Sequence, residues 1–174
     1  MRWIALLRAV NLGGHNKVPM AELRKLLARA GFDDVRTYIA SGNVLLDGPD
    51  DRAAIARELE RLIEQAFRAT TTAILRTPDE LDHLLGSHPF GRDTSRSHVA
   101  FLAAEPAAGS VERLAEKGYG RDLVSVSGEH AYLRYASGVH RARLSGSRLE
   151  QLLGVPATLR NWRTVVALAE RAHG

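Results

Sequence analysis

Arg8-Ala9-Val10-Asn11-Leu12-Gly13-Gly14-His15-Asn16-Lys17-Val18-Pro19-Met20 and, later, Tyr38-Ile39-Ala40-Ser41-Gly42-Asn43 are the turns that punctuate the first half of this chain. What flanks them decides the fold. Trp3–Leu7 precedes the first turn as a short apolar run and reads as a strand. After it Met20, Leu23, Leu26, Leu27 and Ala30 recur at helical spacing; Pro19 fits the first turn, Gly31 stops the helix and Phe32 is placed to pack back. Around the second turn, Val35–Ile39 is β-branched and aromatic, and Asn43–Asp47 is its returning partner strand. Asp50 or Asp51 caps a long helix whose apolar face is Ile55, Leu59, Leu62, Ile63 and Ala66, and Thr71–Arg76 is a further strand. The order β-α-β-β-α-β is that of a ferredoxin-like unit.

The order then repeats. Thr77-Pro78-Asp79-Glu80 is a capping box with proline at the first helical position, opening a helix to about Gly86. Ser87–Ser97 reads as a loop. His98–Ala103 is a strand, Ser110–Lys117 a helix, and Leu123–Ser127 with His130–Tyr135 a hairpin about Gly128. Leu144–Leu153 is a helix closed by Gly154, Ala157–Leu159 a short strand, and a last helix starts near Asn161. The fold class expected is α+β: two ferredoxin-like halves joined by a helix, with an extra C-terminal helix. The division expected is 1–77, a connecting helix and loop at 78–96, and 97–174.

Composition narrows the function classes. The chain has 174 residues, 45% hydrophobic and 25% charged, as in globular proteins. No apolar run approaches the roughly 20 residues of a membrane span. Met1–Leu7 is too short for a signal peptide, so a cytoplasmic location without a membrane partner is expected. There is no cysteine, which excludes disulfides, thiol nucleophiles and cysteine-ligated zinc. His83, His88 and His98 match no metal spacing, so neither metal nor cofactor is expected. Ser127 and His130 flank a hairpin rather than forming a nucleophilic pair. Residues 1–87 are charge-neutral, so the +4 net charge arises in the second half, where six arginines and one acid, Glu150, lie between Arg134 and Arg163.

Strand order brings the two opening turns to one edge of the first sheet. The candidate ligand-binding set is Arg8, Asn11, Gly13, Gly14, His15, Asn16, Lys17, Ser41, Gly42 and Asn43. Glycines let backbone N–H groups point outward, a helix start adds partial positive charge, and Arg8 and Lys17 add full charges. A purely structural alternative pairs Arg8 with an acid such as Asp47 and has Asn43 holding the hairpin. Arg141, Arg143, Arg160, Asn161 and Arg163 form a second basic patch. Three functions follow as alternatives: a small anionic or phosphorylated ligand at the N-terminal edge; nucleic acid on the arginine-rich half, where Tyr132 and Tyr135 alone offer stacking surfaces; or an enzyme with His15 as its titratable group. Catalytic residues and oligomeric state are not legible.

The strings Ile4–Met20 and Val35–Val44, with Leu153–Val165, resemble the bacterial domain-of-unknown-function family 1697 over nearly the whole chain. The resemblance implies the duplicated ferredoxin-like arrangement and no assigned activity. One departure stands out: Arg141-Ala142-Arg143-Leu144 replaces a pattern that usually reads Arg-Ser-Lys/Arg-Leu.

Overall fold

A computed structural model describes residues Met1–Gly174 and divides into two units, Met1–His83 with Leu168–Gly174, and Leu84–Ala167. In the first, β1 (Arg2–Leu7), α1 (Met20–Arg29), β2 (Asp33–Tyr38), β3 (Asn43–Asp47), α2 (Arg52–Phe67) and β4 (Ala73–Arg76) build a sheet ordered β2-β3-β1-β4. After α3 (Pro78–Gly86), the second repeats this with β5 (Ser97–Leu102), α4 (Ala108–Glu116), β6 (Leu123–Ser127), β7 (His130–Arg134), α5 (Gly146–Leu153) and β8 (Ala157–Asn161), ordered β6-β7-β5-β8; α6 (Trp162–His173) ends the chain. Every neighbouring pair is antiparallel, so both halves are ferredoxin-like, as the element order indicates.

Hydrophobic periodicity explains the packing. In the first unit Leu23 and Leu27 of α1 and Ile55, Leu59 and Ile63 of α2 pack on Trp3, Ala5 and Leu7, the alternate residues of β1. Ile4 and Leu6, on the other face, are fully buried as well. A central strand buried on both faces requires an unbroken apolar run, which is why Trp3–Leu7 shows no alternation. In the second unit Leu114, Leu149 and Leu153 cover Ala100, Leu102, Ala131 and Leu133.

Several boundaries differ from the sequence reading for local reasons. Pro19 stands just outside α1 with extended backbone, and its carbonyl accepts from Leu23 N–H. β4 starts at Ala73 rather than Thr71, because Thr71 and Thr72 bond to the backbone of Arg8 instead. Ala66 of α2 is exposed. The Glu60 carboxylate accepts from Ala73 N–H at 2.8 Å. The second unit has the same device, Glu150 accepting from Ala157 N–H at 2.7 Å. In both halves a glutamate on the second helix thus ties down the first residue of the last strand. Those strands also read alike, Ala73-Ile74-Leu75-Arg76 and Ala157-Thr158-Leu159-Arg160, with each arginine buried. Residue-level duplication therefore survives where strand and helix are tied.

The capping box at α3 forms reciprocally: Thr77 N–H donates to Glu80 Oε2 at 2.7 Å and Glu80 N–H to Thr77 Oγ1 at 3.2 Å. Arg52 Nη2 donates to both Glu80 oxygens, at 2.7 and 2.8 Å. Burial pushes the Glu80 carboxyl up, but the bonds from Arg52 and Thr77 outweigh it and hold it below its ordinary value of 4.5. A carboxyl lowered by folding adds stability above its unfolded value and loses it as pH falls through the folded value. Glu80→Gln is therefore expected to lower stability at neutral pH and to flatten the acid limb of the stability–pH curve; denaturant titrations from neutral to acid pH check this.

Gly42 has φ +89°, and a Cβ there would lie 2.5 Å from Val10 Cγ2 and 2.9 Å from Leu7 Cβ. Gly42→Ala is expected to cost about 2–4 kcal/mol, combining left-handed strain with overpacking. Gly13→Ala, where a Cβ meets open space, is expected to cost only about 1–2 kcal/mol of backbone strain. Chemical denaturation of the two variants checks the difference.

Candidate functional site

The opening turns do meet at one edge of the first sheet. Leu7 N–H donates to Gly42 O at 2.8 Å, joining the end of β1 to the β2–β3 turn. The polar groups there chiefly stitch backbone to backbone. Asn11 Nδ2 donates to Val18 O (2.9 Å) and Ala40 O (2.7 Å), while Asn11 Oδ1 accepts from Val18 N–H at 2.7 Å. Asn16 Nδ2 donates to Ala9 O (3.0 Å) and Thr70 O (2.7 Å). Fully buried Asn43 donates through Nδ2 to Tyr38 O and Ser41 Oγ. Asn11 and Asn16 also sit in the left-handed region, at φ 55° and 49°, which asparagine tolerates better than other side chains.

The rest of the set divides. Gly13 and Gly14 form the tip of a tight turn between Leu12 and His15 with both φ values positive, the geometry of a type I′ turn. That turn projects outward, so Leu12, Gly13, Gly14, His15 and Lys17 are exposed. Arg8 is half-buried, with its backbone held by Thr71 and Thr72. Asp47 pairs with Arg2 at 3.3 Å, in register at the far end of β1, so it is not the acid for Arg8. Gly42 serves close approach, as its contacts with Val10 and Leu7 require.

The second basic patch is dispersed by the fold. Arg160 is only 7% exposed; its Nη1 donates to Thr158 Oγ1 at 2.7 Å and Leu159 O at 3.0 Å, and burial pushes its guanidinium down to about 10. It therefore leaves the surface set. Asn161 is the cap of α6, accepting from Thr164 N–H at 2.8 Å. Arg141 is exposed in a single 3-10 turn, Val139–Arg141. Arg163 is exposed on α6 and lines a cavity with Trp162 and His98. Tyr132 and Tyr135 are 2% and 1% exposed, and their hydroxyls donate to Leu84 O and Leu144 O. Burial raises both phenols.

Arg143 has different company. With Lys117, Gly118, Tyr119 and Arg148 it lines a cleft of about 560 Å³. Lys117 follows α4. Arg148 is in the first turn of α5, whose Ser145 cap accepts from Arg148 N–H at 3.2 Å. Arg143 N–H is fixed by Asp122 Oδ2 at 3.1 Å, and a Cβ on Gly120 would touch its Nε at 3.4 Å, so its side chain lies along bare backbone. Asp122's other oxygen accepts from Ala136 N–H. None of Lys117, Arg143 and Arg148 has an ion-pair partner. Lys117 and Arg148 were not picked out from the sequence. Arg148 belongs to the arginine excess, but only the packing of α5 beside the segment after α4 reveals the cluster. No three His, Asp or Glu side chains stand together as a metal set, and no helix is long and apolar enough to cross a membrane.

The chain belongs to the family described as "Protein of unknown function (DUF1697)", whose model matches residues 1–132. The string Leu153–Val165 lies beyond the matched residues. Among solved structures it is similar to "conserved bacterial protein SP0830 from Streptococcus pneumoniae", with TM-score 0.75 and 23% identity over 98% of both chains. That likeness is one of fold. No curated protein matches the chain in sequence.

Removing Asn11 deletes three hydrogen bonds and a side chain suited to left-handed backbone. Asn11→Ala is expected to cost about 2–4 kcal/mol, whereas exposed Lys17→Ala stays within about 0.5 kcal/mol. Urea unfolding of both variants checks whether the first turn is held by Asn11.

Proposed function

We propose that this protein binds a small phosphorylated or carboxylated ligand, in the cleft lined by Lys117, Tyr119, Arg143 and Arg148. One observation carries the reading: three cations surround one cleft and none is in an ion pair. Clustered like charges repel, and Arg148 also sits at the positive end of α5, where a cation is unfavourable. An anion relieves both terms. Guanidinium groups suit phosphate and carboxylate oxygens because they donate two parallel bonds.

The N-terminal edge offers less. Its asparagine amides already bond to backbone carbonyls, so Lys17 and His15 stand at an exposed turn without a set of convergent donors. Small ligands suit the cleft better than nucleic acid, since the buried tyrosines provide no stacking platform beside the cations.

Pyrophosphate is expected to raise the melting temperature of the wild type at low salt and to give a binding isotherm by calorimetry. The double variant Arg143→Ala/Arg148→Ala should weaken binding by roughly tenfold or more, from the loss of two charge-assisted contacts. Lys17→Ala should bind as the wild type does. Lack of stabilisation of the wild type by pyrophosphate or phosphate, or equal binding by the double variant, overturns the proposal.

A further inference from the structure

A second cavity lies elsewhere in the same unit. It measures about 640 Å³ and is lined by Thr94, Ser97, His98, Asn161, Trp162 and Arg163, among others. It opens where β5 begins, β8 ends and α6 starts. Ser97, the first residue of β5, is 2% exposed and lines this cavity. Its Oγ is 2.9 Å from His88 Nε2, and His88 Nδ1 is 3.1 Å from Gly91 O.

These distances settle the proton positions of the neutral pair. Gly91 O can only accept, so His88 Nδ1 carries the hydrogen and donates it. Nε2 then has a free lone pair, and the Ser97 hydroxyl donates to it. This is a nucleophile hydrogen-bonded to a base whose other nitrogen is held by an orienting acceptor. The ring is also fixed in place: its centroid is 4.5 Å from that of Trp162, 5.7 Å from Phe90 and 5.9 Å from Tyr132.

We infer that Ser97 and His88 form a nucleophile–base pair for acyl transfer from an ester or thioester bearing an anionic group, bound in the cavity at the start of α6. The Ser97 Oγ bonds to the acyl carbon while its proton passes to His88 Nε2. Collapse of the tetrahedral adduct breaks the C–O or C–S bond, and the leaving alkoxide or thiolate takes that proton. Water, giving its proton to the same nitrogen, then hydrolyses acyl-Ser97. The acid departs, and the proton held on His88 returns to the Ser97 oxygen. The first turn of α6 supplies an oxyanion donor: Asn161 caps Thr164 N–H and the register of β8 on β5 engages Trp162 N–H, leaving the N–H of Arg163 as a helix-start donor at the cavity. Exposed Arg163, which is in no ion pair, is the group that favours an anionic substrate. The pair escapes a reading of sequence because the residues are nine apart across a loop, outside any nucleophile-elbow pattern.

The inference stands apart from the basic cleft, which shares no lining residue with this cavity. A fluorophosphonate probe, followed by peptide mass mapping of the intact chain, tests it. The expected result is an adduct on Ser97, absent in Ser97→Ala and unaffected by Ser127→Ala on the exposed β6–β7 hairpin. His88→Gln should slow labelling by roughly a hundredfold or more, the usual contribution of a positioned base, with circular dichroism confirming that it folds. Arg163→Ala should lower kcat/KM for para-nitrophenyl hemisuccinate by a larger factor than that for para-nitrophenyl acetate. A folded wild type that gains no adduct on Ser97, or a folded His88→Gln that labels at the wild-type rate, overturns the inference.

Discussion

Gly42 is the constraint on which the first half depends. Its left-handed backbone lets the β2–β3 turn lie against Leu7 and Val10, closer than any side chain would permit. The contact fixes β3 against the end of β1, through the bond from Leu7 N–H to Gly42 O. With that edge closed, Asn43 is fully buried and turns its amide back to Tyr38 O, while Asn11 reaches across to Ala40 O. Asn16 extends the same stitching to Thr70 just before β4. Three asparagines therefore hold loops that carry few apolar contacts of their own, a task for which an amide with both donor and acceptor groups is suited.

The two halves solve one problem in one way. A four-stranded sheet with two helices leaves the first N–H of its last strand without a ladder partner, and a glutamate on the second helix accepts from it in each half. The strands so anchored, Ala73–Arg76 and Ala157–Arg160, keep both small first residue and buried last arginine. Elsewhere the halves have diverged. The turn at Gly128 lacks the asparagine stitching of the turn at Gly42, and the long first loop has no counterpart before α4.

The halves also differ in how their polar residues are partnered. In the first half the distinctive polar residues are internally bonded and hold the fold. In the second, the polar residues that stand apart are a cleft of unpaired cations and a cavity where a serine donates to an oriented histidine. Both features lie at the ends of strands and helices and on the segments beside them: Ser97 is the first residue of β5 and Arg148 is in the first turn of α5. The first feature follows from charge that has no internal partner, the second from a loop folded back over the start of β5.

Element types and their order were legible from local chemistry: the unbroken apolar run of β1, the helical spacing of Leu23 and Leu27, the Asp51 cap, the Thr77–Glu80 capping box and Gly154 in left-handed backbone. These are short-range effects, set within a few residues by sterics and hydrogen bonding. The sites were legible only in part. The sequence correctly brought Arg8–Lys17 and Ser41–Asn43 to one sheet edge, yet could not say that the amides there would face carbonyls. It placed Arg160 on the surface because arginine is a surface residue by default, whereas its place on β8 buries it. Lys117 with Arg148, and His88 with Ser97, are brought together by helix and loop packing over the second sheet. Composition and motifs alone determined the α+β class and the doubled element order; only the tertiary structure decided which polar groups are satisfied within the fold and which are not, because hydrogen-bond satisfaction depends on neighbours distant in sequence.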